Sequence, residues 1–333
     1  MIEVKHELIP LTAPSRWHEV LRDIPHSFGH TWESCYAMSL TTGYPTFLYH
    51  FQDKETRIAC PIAERAYNGH IDIVTPYGFS GFVGNTDYHN FQNEWKVFAQ
   101  SKGYVCGYIG LNPLFENASY VDKHEVFENS DLYVLNLELE MHQLVANLSI
   151  NRKRQLKRYE DQKQHIHHNE RELNEFFLSN YTPFFNQKQH ASVYDLTQET
   201  LLTLTESENV FLNGIYEGKE LKAVSMYGFT PYCAEYLFTI SFERDLTFPL
   251  IWNAIGYLKS IGVPRLNLGG GVKKGDSIAA FKERFGSIKL PLKCLKQVYN
   301  HAVYETLNEQ ANADVSIDGY FPAYRNRQIV EMK

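Results

Sequence analysis

Residues 267–286 read NLGGGVKKGDSIAAFKERFG, and the reading of their glycines and lysines decides the kind of fold. A nucleotide-triphosphate loop needs Gly, four residues, a second Gly, then Lys and a hydroxyl residue, so that the lysine reaches the terminal phosphates. Counted from Gly270 the second glycine is Gly275, but Asp276 holds the lysine position and Ser277 follows. A carboxylate there repels phosphate, which excludes a nucleotide triphosphatase. A dinucleotide loop is excluded as well, since no third glycine stands at the required offset from Gly269, Gly270 and Gly271. What remains is a strand whose terminal glycines let a ligand approach the backbone, followed by a short helix over 277–285. Asp276 or Ser277 caps that helix and Gly286 ends it. Ile278, Phe281 and Phe285 are its expected buried stripe, with Lys282 and Arg284 projecting.

Upstream, FPLIWNAIGYLKSIG (248–262) carries Ile251, Ala254, Ile255, Leu258 and Ile261 at helical spacing, and PRLNLGGG (264–271) reads as the strand after it. Before that helix come two strands around Glu217-Gly218-Lys219, the strand CAEYLFTIS (233–241) and the loop FERDLT (242–247). The first half has the same order. ETRIACPIA (55–63) and IDIVT (71–75) are strand-like, joined by the turn-rich ERAYNGH. A glycine-rich loop, PYGFSGFVGNTD, leads to a helix with Tyr88, Phe91, Trp95, Phe98 and Ala99 on one face, stopped by Gly103, and then to the strand YVCGYIGLNP. Recurrence of one unit at a spacing of roughly 160 residues argues for two copies of an α/β unit. Between them, DLYVLNLELE alternates like an edge strand and 141–164 is helical and basic, so the junction is set near residue 140, dividing 1–140 from 141–333. No Pro/Ser/Gly linker separates the copies, which are expected to share an interface.

The 333 residues fit two domains, and the net charge of -7 excludes the global basic field of a nonspecific nucleic-acid binder. Any anion site is local, and DNA is not an expected partner. The start, MIEVKHELIPLTAPSRW, lacks a basic region followed by an apolar core, and no apolar run approaches a bilayer span, so a cytoplasmic location is expected. Five scattered cysteines without a C-x-x-C pair read as buried thiols. His165, His167 and His168 have no carboxylate or cysteine at ligand spacing, so no metal site is assigned. No serine or cysteine nucleophile motif is present.

LNLGGGVKKGDSIAAFKERFGS, with FPLIWNAIGYLKSIGVPR and the basic helix NRKRQLKRYE (151–160), resembles the Fem-type peptidoglycan aminoacyltransferases and their relatives with paired GNAT (Gcn5-related N-acetyltransferase) folds. The Gly-Gly plus FKERFG pattern is the most specific element; TPYGFSG and the C-terminal GYFPAYR add to it. The resemblance implies two tandem GNAT-like acyl-CoA N-acyltransferase units, each a mixed twisted sheet flanked by helices. It also implies direct transfer of an acyl or aminoacyl group from a thioester or ester donor to an amine. The cosubstrate would be acyl-CoA or aminoacyl-tRNA, with no tightly bound cofactor, and the acceptor an amine of a cell-envelope precursor or amino sugar.

On the same resemblance the second unit holds the donor. AEYLFTIS, with Thr239 and Ser241, offers backbone groups to it; the loop and helix start that follow, with Arg244 and Thr247, receive its phosphates; Gly270 and Gly271 lie beside it. FERDLT departs from the common acetyltransferase loop in lacking Gly-x-Gly and carrying Glu243 and Asp245. The coiled-coil arm of many tRNA-using members is absent. Lys282 matches the family's FK lysine and is the expected cation beside the oxyanion. Asp276 is either base or cap, and Tyr236 either proton donor to the leaving group or core tyrosine. Arg154 and Arg158 on one helical face with Arg152 nearby, together with Tyr77 and Phe79 of TPYGFSGF, are the expected acceptor contacts. Two other readings stay open: a noncatalytic paired-GNAT scaffold in polysaccharide or cell-wall assembly, and an RNA-binding module using the basic helix.

Overall fold

The computed structural model describes residues 4–187, 194–243, 245–271, 275–315 and 319–326. In chain order the elements are β1 (Lys5–Pro10), α1 (Pro14–Leu21), α2 (Trp32–Thr42), β2 (Thr46–Asp53), β3 (Thr56–Tyr67), β4 (His70–Val74), β5 (Val83–Gly84), α3 (Phe91–Ser101), β6 (Tyr104–Leu111) and β7 (Val126–Asn136). Then come α4 (Met141–Asn147), α5 (Ile150–Gln162), β8 (Ile166–His168), α6 (Arg171–Gln187), α7 (Gln198–Thr205), β9 (Val210–Glu217), β10 (Glu220–Phe229), β11 (Ala234–Ser241), α8 (Thr247–Ser260), β12 (Arg265–Asn267), α9 (Ser277–Glu283), β13 (Ile288–Val298) and α10 (His301–Ala311).

Each unit is a meander closed by a parallel crossover. In the first, β1 to β4 run antiparallel and α3 carries the chain to β6, which pairs parallel with β4. In the second, β8 to β11 run antiparallel and α8 carries the chain to β12, parallel to β11. The strand after each crossover then leaves its own unit: β7 pairs with β12, and β13 pairs with β6. β7 and β13 pair with each other at the centre, so one continuous sheet has the order β1-β2-β3-β4-β6-β13-β7-β12-β11-β10-β9-β8.

Packing follows the same exchange. α8 covers one face of the second unit's half-sheet through Phe248, Ile251, Ile255 and Leu258. The other face is covered by α6 and α7 together with Phe28, Ala37 and Met38 from the first unit. α10 crosses back to Val105 and Cys106 of β6. GYFPAYR has a structural role there: Asp72 Oδ2 accepts from Tyr324 Oη at 2.9 Å and from Arg325 Nε at 2.6 Å, while Arg65 Nε donates to the other carboxylate oxygen at 2.7 Å.

Each half of the chain thus completes the other's sheet. Polypeptides 1–140 and 141–333 made separately are expected to be insoluble or unfolded, because β6 and β12 lose their neighbours and present bare edges over apolar cores. Co-expression is expected to return a soluble complex by size exclusion; an isolated 1–140 that melts cooperatively contradicts this.

Several expectations shift by a few residues. ERAYNGH is mostly strand, since β3 runs to Tyr67 and the turn is Asn68-Gly69 alone, both with positive φ. The helix expected over 141–164 is two, α4 and α5, broken where Leu148 and Ser149 turn extended and Ser149 caps α5 through the Arg152 N–H. Ile261 and Ile278 are exposed at 43% each and drop out of their stripes; Ala279 and Lys282 are the buried residues of α9, with Phe285 buried just past its end. All five cysteines are buried and free.

Candidate functional site

β11 and β12 pair over only two positions, Ala234 with Leu266 and Glu235 with Asn267. Beyond these, β12 follows β7, with the Leu268 N–H on Tyr133 O at 2.8 Å and the Tyr133 N–H on Gly269 O at 3.2 Å. β11 instead continues to Ser241 with no strand on that side among the described residues, so a V-shaped notch opens between them. A bulge sharpens it: Met226 pairs with Phe238 and Tyr227 with Tyr236, which leaves Leu237 unpaired and turns the strand.

Beyond the notch lies a cleft of about 880 Å³ that gathers many of the expected site residues. Tyr236, Thr239 and Ser241 of β11 and Thr247 of α8 form one wall; Arg152, Arg154 and Arg158 of α5 form the other, joined by Arg284 just past α9. The arginines expected on the acceptor side therefore share a cleft with β11, the strand expected to hold the donor. Helical spacing puts Arg154 and Arg158 on one face, and the Ser149 cap aims that face across α8.

Arg152 is buried, its guanidinium lying 4.3 Å from the Phe281 ring centre, 4.9 Å from Phe285 and 5.1 Å from Phe248. Burial, with Arg284 nearby, pushes its pKa down to about 10, and Asp245 opposes this. The only carboxylates among the described lining residues are Glu243, paired with Lys222 at 3.0 Å, and Asp245. FERDLT makes its turn without glycine because Asp245 itself takes the left-handed conformation, φ 70. α8 starts with no side-chain cap, so its first N–H groups face the loop, Pro249 contributing none. Arg244 lies outside the described residues, as do Val272, Lys273 and Lys274.

The hydroxyls on β11 hold one another: Tyr236 Oη donates to Thr239 Oγ1 at 2.6 Å, and Thr239 Oγ1 also meets Ser225 Oγ at 2.6 Å. Burial pushes the Tyr236 phenol up to about 12, so it stays protonated near neutrality. Ser241 Oγ donates to Glu243 O at 2.7 Å.

Lys282 does not project into water. It is 7% exposed, and its Nζ donates to Gly270 O at 2.6 Å. Burial pushes its pKa down to about 8, with Asp276 opposing. Asp276 is the cap of α9, its carboxylate accepting the Ala279 N–H at 2.7 Å. Gly269 has φ 77, and a Cβ there would lie 3.1 Å from Lys282 Nζ and 4.0 Å from the Phe79 ring. A side chain would fill the space between the lysine and the first unit's aromatic loop. Gly270 lies beside this lysine, and neither Gly270 nor Gly271 is among the residues lining the arginine cleft.

Phe79 thus reaches the second unit at Gly269, while the Tyr77 hydroxyl turns toward Tyr194 and Tyr181. Both also line a separate cavity of about 460 Å³ in the first unit, with Met38, Val74, Tyr108 and Leu292. Its cation, Lys293, is held by Glu116 at 2.9 Å. The arginines and the aromatic loop are therefore in different places. His167 pairs with Glu170 and His168 with Asn253, each at 2.6 Å. No helix among the described residues is long and apolar enough to cross a membrane.

Sequence reasoning passed over Glu235 and Asn267 at the notch apex. The signal was an acidic residue between Ala234 and Tyr236, at the start of a strand whose remaining polar residues are hydroxyls. Strand register alone could not tell that its side chain is 1% exposed.

No family model and no curated protein matches the sequence. Among solved structures, FemX is similar over 91% of this chain and 99% of its own, at TM-score 0.65 and 10% identity. A conserved Bacteroides thetaiotaomicron protein of unknown function is similar over 89% of this chain and all of its own, at TM-score 0.57 and 10% identity. The C-terminal DUF2156 domain of an Agrobacterium fabrum protein assigned as a lysylphosphatidylglycerol synthetase is similar over 93% of this chain and 98% of its own, at TM-score 0.52 and 12% identity. The chain is a paired GNAT-fold α/β protein, two tandem units in one sheet. Its pairing is of the Fem-like kind.

Proposed function

We propose that the protein is an N-acyltransferase that moves an acyl or aminoacyl group from a phosphate-bearing donor, acyl-CoA or aminoacyl-tRNA, onto an amine of a cell-envelope precursor or amino sugar. The observation that carries this is the notch between β11 and β12, whose unpaired strand edge runs into a cleft with four arginines. An acyl chain extended along β11 gains backbone hydrogen bonds, and its phosphates gain guanidinium forks and the uncapped start of α8. The second unit binds the donor. The first, with its apolar cavity and the Tyr77–Phe79 loop, receives the acceptor.

In this scheme the acceptor nitrogen attacks the acyl carbonyl, the C–N bond forms, and the bond to the thiolate or alkoxide leaving group breaks. Lys282, still mostly protonated near pH 7, stabilises the oxyanion. Tyr236 gives its proton to the leaving group and is reprotonated by the proton the nitrogen sheds.

Purified protein is to be screened by thermal shift against acyl-CoAs, aminoacyl-tRNA and UDP-sugars, then assayed for amide formation by mass spectrometry with amino-sugar and peptide amines. A true donor at 100 times its Kd adds about 2.7 kcal/mol of stability. If no donor stabilises the protein and no amide forms, the proposal fails.

A further inference from the structure

Glu235 has no part in that scheme, and the fold satisfies only one side of its carboxylate, through the Ser27 hydroxyl and the Gly29 N–H. It lies at the notch apex, and among the described residues its Oε1 finds no hydrogen-bond partner. Its register partner Asn267 is on the same face, is 1% exposed as well, and spends Oδ1 on the Gly269 N–H at 2.8 Å, while its Nδ2 has no partner. A buried acceptor and a buried donor in adjacent register are thus both left unmade, which native interiors rarely tolerate without a use. Together they suit a ligand with an amine to donate to the first and an oxygen nearby to accept from the second.

The surroundings come from the first unit. The Ser27 hydroxyl and the Gly29 N–H lie beside the carboxylate and favour its ionised form, whereas burial opposes it more strongly and pushes its pKa up to about 8. The titratable groups facing it are neutral: the Tyr77 phenol from the β4–β5 loop and the Cys233 thiol of its own chain segment, both pushed up by burial. His30, behind Ser27, takes the Ser27 N–H on Nδ1 at 3.2 Å, gives its Nε2 proton to Gly81 O at 3.0 Å, and is held neutral with a pKa of about 3. No cation is among the described groups acting on Glu235. The loop that brings Tyr77 here also lines the first unit's cavity, where the buried Ser80 hydroxyl likewise has no partner.

We propose that Glu235 and Asn267 form the seat of the acceptor at the seam between the units, for a primary amine with a neighbouring hydroxyl or carbonyl, and that Glu235 takes the proton an ammonium acceptor must lose. This rests on the transferase reading above. Of the ammonium's three protons, one passes to Glu235 before attack, one stays on the amide, and one ends on the leaving group by way of Tyr236. Glu235 then returns its proton to water.

The test needs no donor. In protein labelled with 13C-glutamate, one side-chain carboxyl carbon is expected to titrate near pH 8 and to be missing in Glu235→Gln, which keeps the shape of the protonated acid and so the fold. Saturating glucosamine or ethanolamine is expected to lower that midpoint by about one pH unit or more, since an ammonium favours the carboxylate. Their N-acetyl forms are expected to leave it in place. A midpoint in the ordinary glutamate range, or one that no amine moves, overturns the proposal whether or not amides form. Where amides do form, the wild-type rate is expected to rise with pH as Glu235 ionises and to fall as Lys282 loses its proton, a bell centred near pH 8, and a Glu235→Gln variant with the same rate and the same rising limb also overturns it. If amines shift the titration but no acyl donor is ever used, the seat stands and the transferase reading falls.

Discussion

Lys282→Met is expected to reduce amide formation by about 100-fold or more, as for loss of one oxyanion-stabilising group, and at the same time to make the protein more stable at pH 7. The ammonium keeps its proton to pH 10.5 in the unfolded chain but only to about 8 in the folded one. That difference corresponds to about 3 kcal/mol of burial cost, present in full below pH 8. Between 8 and 10.5 the unfolded state holds more protons, so wild-type stability rises with pH through that window. Methionine removes the charge but also the bond to Gly270 O, which gives back about 1 kcal/mol. A net gain on the order of 2 kcal/mol at pH 7 follows, and the rise above pH 8 disappears. Urea melts at pH 7 and 9.5 check the sign. A variant that is less stable at pH 7 and equally active has no cation working at that position.

The second large effect is at the arginine wall. Arg154, Arg158 and Arg284 line the same cleft and are exposed, so replacing all three by Gln removes charge without opening a core. Charge-assisted hydrogen bonds contribute about 1.5–3 kcal/mol each, so KM for the donor is expected to rise about 100-fold or more with kcat little changed. The salt dependence of donor binding flattens alongside. Arg152 is left in place because its guanidinium is stacked among Phe248, Phe281 and Phe285 and supports α9 against α5. Unchanged KM and unchanged salt dependence in the triple variant would remove phosphate recognition from this cleft.

These two results separate roles that the sequence ran together. Arg154 and Arg158 are legible as a pair on a helix face, but which partner they face depends on where Ser149 breaks the chain and turns α5 against α8. Lys282 is legible as a helix lysine after a glycine-rich strand end. Its inward direction is set by Phe285 and Ala279 packing into the α8 core, which rolls the helix so that position 282 faces Gly270. Asp276 is legible as a cap because the spacing to Ala279 is local.

The repeat of meander, helix and strand, the α/β class, the capped helix at 277 and the exclusion of a triphosphate loop all follow from the sequence itself. They depend on periodicity and on contacts within a few residues. The exchange of β7 and β13, the 1%-exposed Glu235 beside Asn267, and the approach of Phe79 to Gly269 were decided only by the tertiary structure. Each joins residues that are far apart in the chain or on different strands. The free energy that fixes them comes from completing a sheet and burying a shared core, and no local pattern records which distant segment will supply the missing edge.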